Sequence, residues 1–418
     1  MKILPISSGK GGVGKTTFAL NLSLALAKRH KVVLLDLDTG TSSIRHFIDQ
    51  PFKNDLYHFF KKKVPLDLCL TPLNKNIDPE SLFSNLSIIA SPRNFIHDVV
   101  NFSKNNKLKL IRELNKIDAD YLIIDHKAGF DDDILDFVPT GNTGILVFTP
   151  KVKAATLSAA EMVKAALLRI FNLLLNLNTY GKFSKETLYK REVKILENII
   201  SDFEGCYDES KNYDDIIQNL EHKYQNRAII QIIQKYLNNY KVYFVVNQFN
   251  DVQESAKNII NPFIDRIYNS VSSNISITNL GWITEHETIA QFAEEGIPYM
   301  LMKAYQKTDK KQKKDNMETE LRRSLGLKTL AKPSVSVPTK TINKKVANNE
   351  MDRQLDLLKE MFTDDKKNEP EQNFDYIADR IKLIEKSSIH NIGMKKIQTK
   401  EDIINKFFAV LQKSKKKV

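Results

Sequence analysis

A glycine-rich stretch set between an apolar strand and a helix, at the start of the sequence, limits what the rest can fold into. Residues Ser7 to Thr17 read SSGKGGVGKTT, after the apolar run Ile3-Leu4-Pro5-Ile6 and before a helix-period segment from about Thr16 to Arg29. Gly9, Gly14, Lys15 and Thr16 satisfy G-x-x-x-x-G-K-[ST], and strand, glycine turn, helix is the context in which that pattern cradles phosphate. Gly11, Gly12, Val13 and Gly14 form the cradle. Its glycines let the backbone curl round an anion with N–H groups inward. The helix beginning near Lys15 adds the positive end of its dipole. Lys15 is expected to reach the β- and γ-phosphates and the Thr16 hydroxyl to ligate Mg²⁺. A second lysine, Lys10, opens the loop, where most phosphate loops have none.

Apolar runs and helical segments then alternate. Lys31 to Leu35 reads as a buried strand ending in Asp36-Leu37-Asp38-Thr39-Gly40, and Leu86 to Ala90 as another, closed by Ser91-Pro92. A polar helix is expected over roughly 94–116, followed by the run Tyr121 to Ile124 that lands on Asp125. Acids at the C-terminal ends of strands lie at the crevice where open α/β sheets bind ligands, and an acid beside a phosphate loop suits Mg²⁺. Further strands are expected at 144–148, 242–246 ending in Asn247, and around 275–283, with helices at 154–171 and 287–295. Such alternation implies an α/β fold, a doubly wound and mostly parallel sheet of the P-loop NTPase kind.

The net charge of +12 is unevenly spread. From Tyr305 to Val418 there are 27 Lys/Arg against 17 Asp/Glu, and before that 36 against 34, so the core is nearly neutral and the tail basic. A basic tail suits an anionic surface, either nucleic acid or membrane. No run approaches the ~20 apolar residues of a membrane span, and a chain that enters its first strand at once predicts no secretory leader. The two cysteines, Cys69 and Cys206, form no CxxC pair, which argues against a disulfide framework or an iron–sulfur site and for a reducing cytoplasm.

KGGVGKTT, with its leading Lys10, resembles the deviant phosphate loop of the MinD/ParA family of ATPases. Further landmarks recur in order: Asp36 and Asp38, Asp125 with Gly129, Thr149-Pro150, Asn247 and Gly281. The resemblance covers about 1–171 and 241–300. DLDTG and DDDILDFVPTGNTGILVFTP are similar to the MinD and FlhG branch more than to plasmid ParA proteins. Three positions depart from it: His126 and Lys127, where the family usually has Thr and a small residue or proline, and Ser43, where the branch usually has Asn.

The resemblance implies ATP and Mg²⁺ as cofactors and a homodimer that closes over ATP. In it Lys10 reaches across to the partner's γ-phosphate and Asp38 orients the attacking water. Asp36 and Asp125 hold the Mg²⁺ shell with Thr16, Thr17 meets the α-phosphate, and Asn247 the adenine edge. The implied function is a switch in spatial organisation at the membrane or pole, with a DNA-associated partitioning ATPase and a non-switching scaffold as alternatives.

Domains are expected at 1–304 for the ATPase, 305–350 for a disordered basic linker, and 351–418 for a helical tail. An amphipathic helical insertion is expected at about 172–240, with apolar residues from Leu188 to Ile200 and from Ile216 to Ile233, and it could contact a protein partner. The last stretch, 399–418, puts Ile403, Ile404, Phe407, Phe408 and Leu411 on one face, with lysines 406, 413, 415, 416 and 417 elsewhere or just beyond. That pattern fits an interfacial membrane helix, placing the protein in the cytoplasm and peripherally on the inner face of the cell membrane. DNA is the other anionic partner open to the tail.

Overall fold

The computed structural model describes residues 1–38, 44–93, 103–138, 141–175, 194, 198, 201–202, 212–224, 228–250, 256–306 and 369–387. Eight strands form one sheet: β1 (Lys2–Ser7), β2 (Val32–Leu37), β3 (Thr71–Pro72), β4 (Leu86–Ile89), β5 (Tyr121–His126), β6 (Asn142–Phe148), β7 (Lys241–Phe249) and β8 (Ser276–Thr284). Their order is β3-β4-β2-β5-β1-β6-β7-β8. All neighbours are parallel except the edge pair β3–β4. The expected doubly wound, mostly parallel sheet is the fold. β1, β2 and β5 are buried along their whole length, which is why they read as continuous apolar runs.

Alternation along the strands sorts the core. Val32, Leu34, Tyr121 and Ile123 join the helix Lys15–Ala27 (α1) in the larger cluster. Val33, Leu35, Leu37, Leu122 and Ile124 join Leu56, Phe59, Leu110 and Leu114 in a smaller one on the opposite face. Asp36 and Asp125 share the parity of the first set and so face α1, whereas His126 shares that of the second. The helix after β4 spans Lys104–Leu114, with Ser103 capping it by accepting from the Asn106 amide. The helix after β6 runs Lys153–Leu175, longer than expected. The strand expected around 275–283 is β8, Ser276–Thr284, whose pairing with β7 shifts register twice.

Within the insertion, helices Tyr213–Tyr224 and Ala228–Asn239 bury Tyr213, Ile216, Ile217, Leu220, Ile230, Ile233 and Leu237 in the larger cluster. This part packs onto the sheet domain. Leu188, Val193, Ile195, Leu196, Ile199 and Ile200 lie outside the described residues, as do Thr39, Gly40, Ser43, residues 307–368 and the 399–418 segment. No helix among the described residues is long and apolar enough to cross a membrane.

The expected 351–418 tail needs correction. The helix Pro370–Ser387 belongs to the sheet domain. It packs between β8 and α1, burying Phe374, Ile377, Ala378 and Ile381 in the larger cluster. Asn373 Oδ1 accepts from the backbone N and Oγ1 of Thr284 at the end of β8. Ile377 lies against Gly281, and Arg380 donates to the Asn279 carbonyl. Lys2 Nζ donates to the Ile381 carbonyl at the start of β1. The helix therefore runs antiparallel to β8, and by Ile381 it has reached the end of the sheet away from the phosphate loop. Gly281 makes the approach feasible: its φ is +145°, and a Cβ there would stand 2.8 Å from Ile377 Cγ1. Acidic residues of this segment meet the cations just beyond α1, where Lys28 pairs with Asp375 and Glu371 and Arg29 with Asp379.

Candidate nucleotide site

Parallel register gathers the site. β1 pairs Ile6 with Asp125, and β2 pairs Asp36 with Asp125. The two aspartates therefore sit at matched positions on adjacent strands, about 4.8 Å apart in the pairing direction. Beside them β1 runs into the loop that starts α1. Ser8 Oγ donates to the Lys10 carbonyl at 2.7 Å, and the Gly129 amide donates to the Ser8 carbonyl at 3.1 Å. The segment after β5 is thereby tied to the start of the loop. Gly12 and Gly14 have positive φ, and Gly14 is the residue from which α1 begins. Gly11 and Gly12 face open space and are exposed, as is Lys10.

Lys15 points the other way. It is 8% exposed, and burial lowers its pKa while Asp125 and Asp38 raise it. The two lysines of the loop thus have opposite environments.

The aspartates differ as well. Burial pushes Asp36 up to about 7, although Ser91 Oγ donates to its Oδ2 at 2.8 Å and the Asp38 amide to its Oδ1 at 3.0 Å. Asp36 is occupied in shaping the strand end. Burial, reinforced by the charge of Asp36, pushes Asp125 up to about 8, with the Thr16 hydroxyl and the Lys15 ammonium pulling the other way. Both Asp125 carboxyl oxygens are buried, and among the described residues the Thr16 hydroxyl is the one hydrogen-bonding group that acts on them. A buried carboxyl with acceptor capacity to spare beside Lys15 and Thr16 is what a hydrated divalent cation would satisfy. Among the described residues no group of three or more His, Cys, Asp and Glu is arranged to hold a metal. Mg²⁺ needs none, since it takes one or two protein oxygens and completes its shell with phosphates and water.

The structure thus brings together Lys10, Gly11, Gly12, Val13, Gly14, Lys15, Thr16, Thr17, Asp36, Asp38 and Asp125. Asn247 reaches the back of the loop, where its Nδ2 donates to the Val13 carbonyl at 2.8 Å. That contact is with the backbone of the loop. Ser91 was legible only as a strand end, because its contact with Asp36 depends on β4 lying beside β2 and no residue pattern states that order.

His126 lies on the opposite face, buried against Phe137 at 5.9 Å between centroids, with Nε2 unpartnered. Burial, with Lys15 adding, lowers its pKa to about 3, so the imidazole is neutral. Lys127 turns outward to Asp131 at 2.8 Å.

The sequence profile of the AAA domain family matches residues 1–129. The chain is 31% identical over 154 residues to the septum site-determining protein MinD of Synechocystis sp., covering 37% of this chain and 55% of that one. It is 27% identical over 156 residues to the putative septum site-determining protein MinD of Tupiella akineta, covering 37% and 48%. It therefore spans about half the length of the curated relatives it matches. Among solved structures, the MinC:MinD cell division protein complex of Aquifex aeolicus aligns with 73% of this chain and 89% of that one, at 17% identity and a TM-score of 0.42. A plasmid partition protein of Borrelia burgdorferi aligns over 72% and 98%, at 19% identity and a TM-score of 0.38. The loop and the strand-end aspartates are those of a P-loop nucleotide site, and 37% of the chain is similar to MinD proteins.

Proposed function

We propose that this chain is an ATPase working as a dimerisation switch, in which two copies close over two Mg²⁺-ATP. The observation that carries it is the opposed placement of the two loop lysines. Lys15 is buried toward Asp125 and Asp38, whereas Lys10 is exposed at the mouth of the loop. A buried lysine serves the phosphates bound to its own chain. An exposed one is free to meet charge developing on a phosphoryl group held by a second copy, which couples hydrolysis to association.

In this reading Gly11 to Gly14 cradle the β-phosphate with backbone N–H groups, and Thr17 holds the α-phosphate. Thr16 and Asp125 hold Mg²⁺, which when bound neutralises charge on the phosphates. Asp36 takes the supporting role its two hydrogen bonds fit, and Asp38 orients water. Hydrolysis is slow and raised by a partner. The cellular setting is placement of a structure at the membrane or pole, of the MinD or FlhG kind, with 399–418 as a peripheral anchor whose affinity doubles up in the dimer.

The test is Lys10→Ala. The variant is expected to bind ATP like the wild type but to stay monomeric with Mg²⁺-ATP in size-exclusion light scattering and to lose turnover. Normal dimerisation and hydrolysis by that variant would end the switch reading. In parallel, co-sedimentation with anionic liposomes is expected to need both ATP and residues 399–418. Salt-dependent DNA binding in the ATP state without lipid binding would move the reading to a partitioning ATPase.

A further inference from the structure

We propose that Asn247 is a positioning residue for the phosphate loop. Its amide holds the Val13 carbonyl from behind and fixes the Gly14 turn from which α1 starts. The inference rests on reading the loop as a nucleoside triphosphate site, and it departs from the base contact that the resemblance implies for this position.

Three observations carry it. First, Asn247 Nδ2 donates to the Val13 carbonyl at 2.8 Å, and the residue is 8% exposed, so the side chain is buried under the loop. The orientation of the amide is fixed by chemistry, since the reverse would set two acceptors against each other. Second, the amide occupies the space a side chain at residue 14 would need: a Cβ on Gly14 would lie 2.3 Å from Asn247 Nδ2. Gly14 is required here by its φ of +82° and also by Asn247.

Third, the strand is distorted where it delivers this side chain. The register of β7 on β8 shifts between Asn247 and Phe249, and Gln248 adopts φ +57°. A non-glycine residue held there is strained and persists only when its surroundings enforce it. The Thr149 hydroxyl, donating to Gln248 Oε1 at 3.1 Å, ties the distorted point to the end of β6. β7 thus leaves regular geometry next to the residue that props the loop. A side chain that fixes a carbonyl on the outer side of the curl fixes the direction of the N–H groups on the inner side. Its effect should fall on the phosphates, whatever base is attached.

The experiment is calorimetric titration of the full-length chain, Asn247→Ala and Asn247→Asp with ATP, GTP and inorganic tripolyphosphate. All three ligands are expected to weaken by a common factor of about 10, the scale for one buried hydrogen bond, with the ATP-to-GTP ratio unchanged. Asn247→Asp is nearly isosteric but sets an acceptor against the Val13 carbonyl, so its loss should be at least as large. A variant that is merely destabilised would show fewer sites per chain at an unchanged Kd, which counts against positioning. A loss confined to ATP, with GTP and tripolyphosphate retained, would assign the side chain to the base and overturn the proposal, as would no loss at all. A wild-type chain that binds none of the three would overturn the nucleotide reading and this proposal with it.

Discussion

Truncating Ile377 should undo the docking of the Pro370–Ser387 helix. The side chain is fully buried, and the floor beneath it is the backbone of β8 at Gly281, which cannot collapse into a cavity as a loop could. Ile→Ala in a core costs about 2–5 kcal/mol, rising with the volume left empty, and a rigid floor puts this site in the upper part of that range. The ion pairs that flank the helix do not compensate. Lys28–Asp375 and Arg29–Asp379 are partly exposed, and such pairs contribute about 0–1 kcal/mol each. A reporter lies in place: Trp282, the only tryptophan in the sequence, is 5% exposed and its ring is 6.4 Å from that of Tyr376 on the helix. Ile377→Ala is expected to shift Trp282 emission to the red and to lower the denaturant midpoint. Asp375→Ala should do neither beyond about 1 kcal/mol. Gly281→Ala attacks the same contact from the strand side, so the double variant should cost less than the sum of the singles. Unchanged emission and an unfolding free energy within about 0.5 kcal/mol of wild type, the range of a surface substitution, would show that the helix contributes nothing to the core.

Other expectations concern protonation. Asp125, raised to about 8 in the folded state, holds a proton that the unfolded chain releases near pH 4. The stability it contributes is therefore full below about pH 4 and lost as pH rises through about 8. Asp125→Asn should remove that loss, raising the denaturation midpoint more at pH 8 than at pH 5, while abolishing the Mg²⁺ dependence of nucleotide binding measured by titration. His126 has the opposite sign, because its folded pKa is depressed to about 3 and an unfolded histidine protonates near 6.5. Stability is lost as pH falls across that window, and His126→Phe should flatten the acid limb of a stability-versus-pH curve. Lys15→Ala should abolish nucleotide binding in the same titrations in which Lys10→Ala preserves it.

The residues of the candidate site were largely legible because a phosphate-binding pattern is local. A loop of glycines, a lysine and a hydroxyl must be contiguous to curl round one anion, so SSGKGGVGKTT carries its meaning in order. Strand-end acids were legible for a related reason: a fully buried parallel strand must be apolar, so Asp36 and Asp125 stand out where β2 and β5 end. The two-sided core could also be expected from the alternation of strands and helices.

Tertiary structure decided what depends on neighbours far apart in sequence. Strand order put Asp125 beside Asp36, Ser91 against Asp36, and Asn247 under Val13. Residue types do not specify strand order, since any buried parallel strand looks much like another. Pleat parity turned His126 away from the loop although it follows Asp125 directly. The helix Pro370–Ser387 read as part of a charged tail because its charges meet partners at the end of α1, 347 residues away for Lys28 and Asp375, and its polar and apolar groups meet β8, 89 residues away for Thr284 and Asn373. The phosphate loop is a property of one stretch of sequence. The carboxylate it faces, the amide that props it and the helix that closes the sheet are properties of a folded chain.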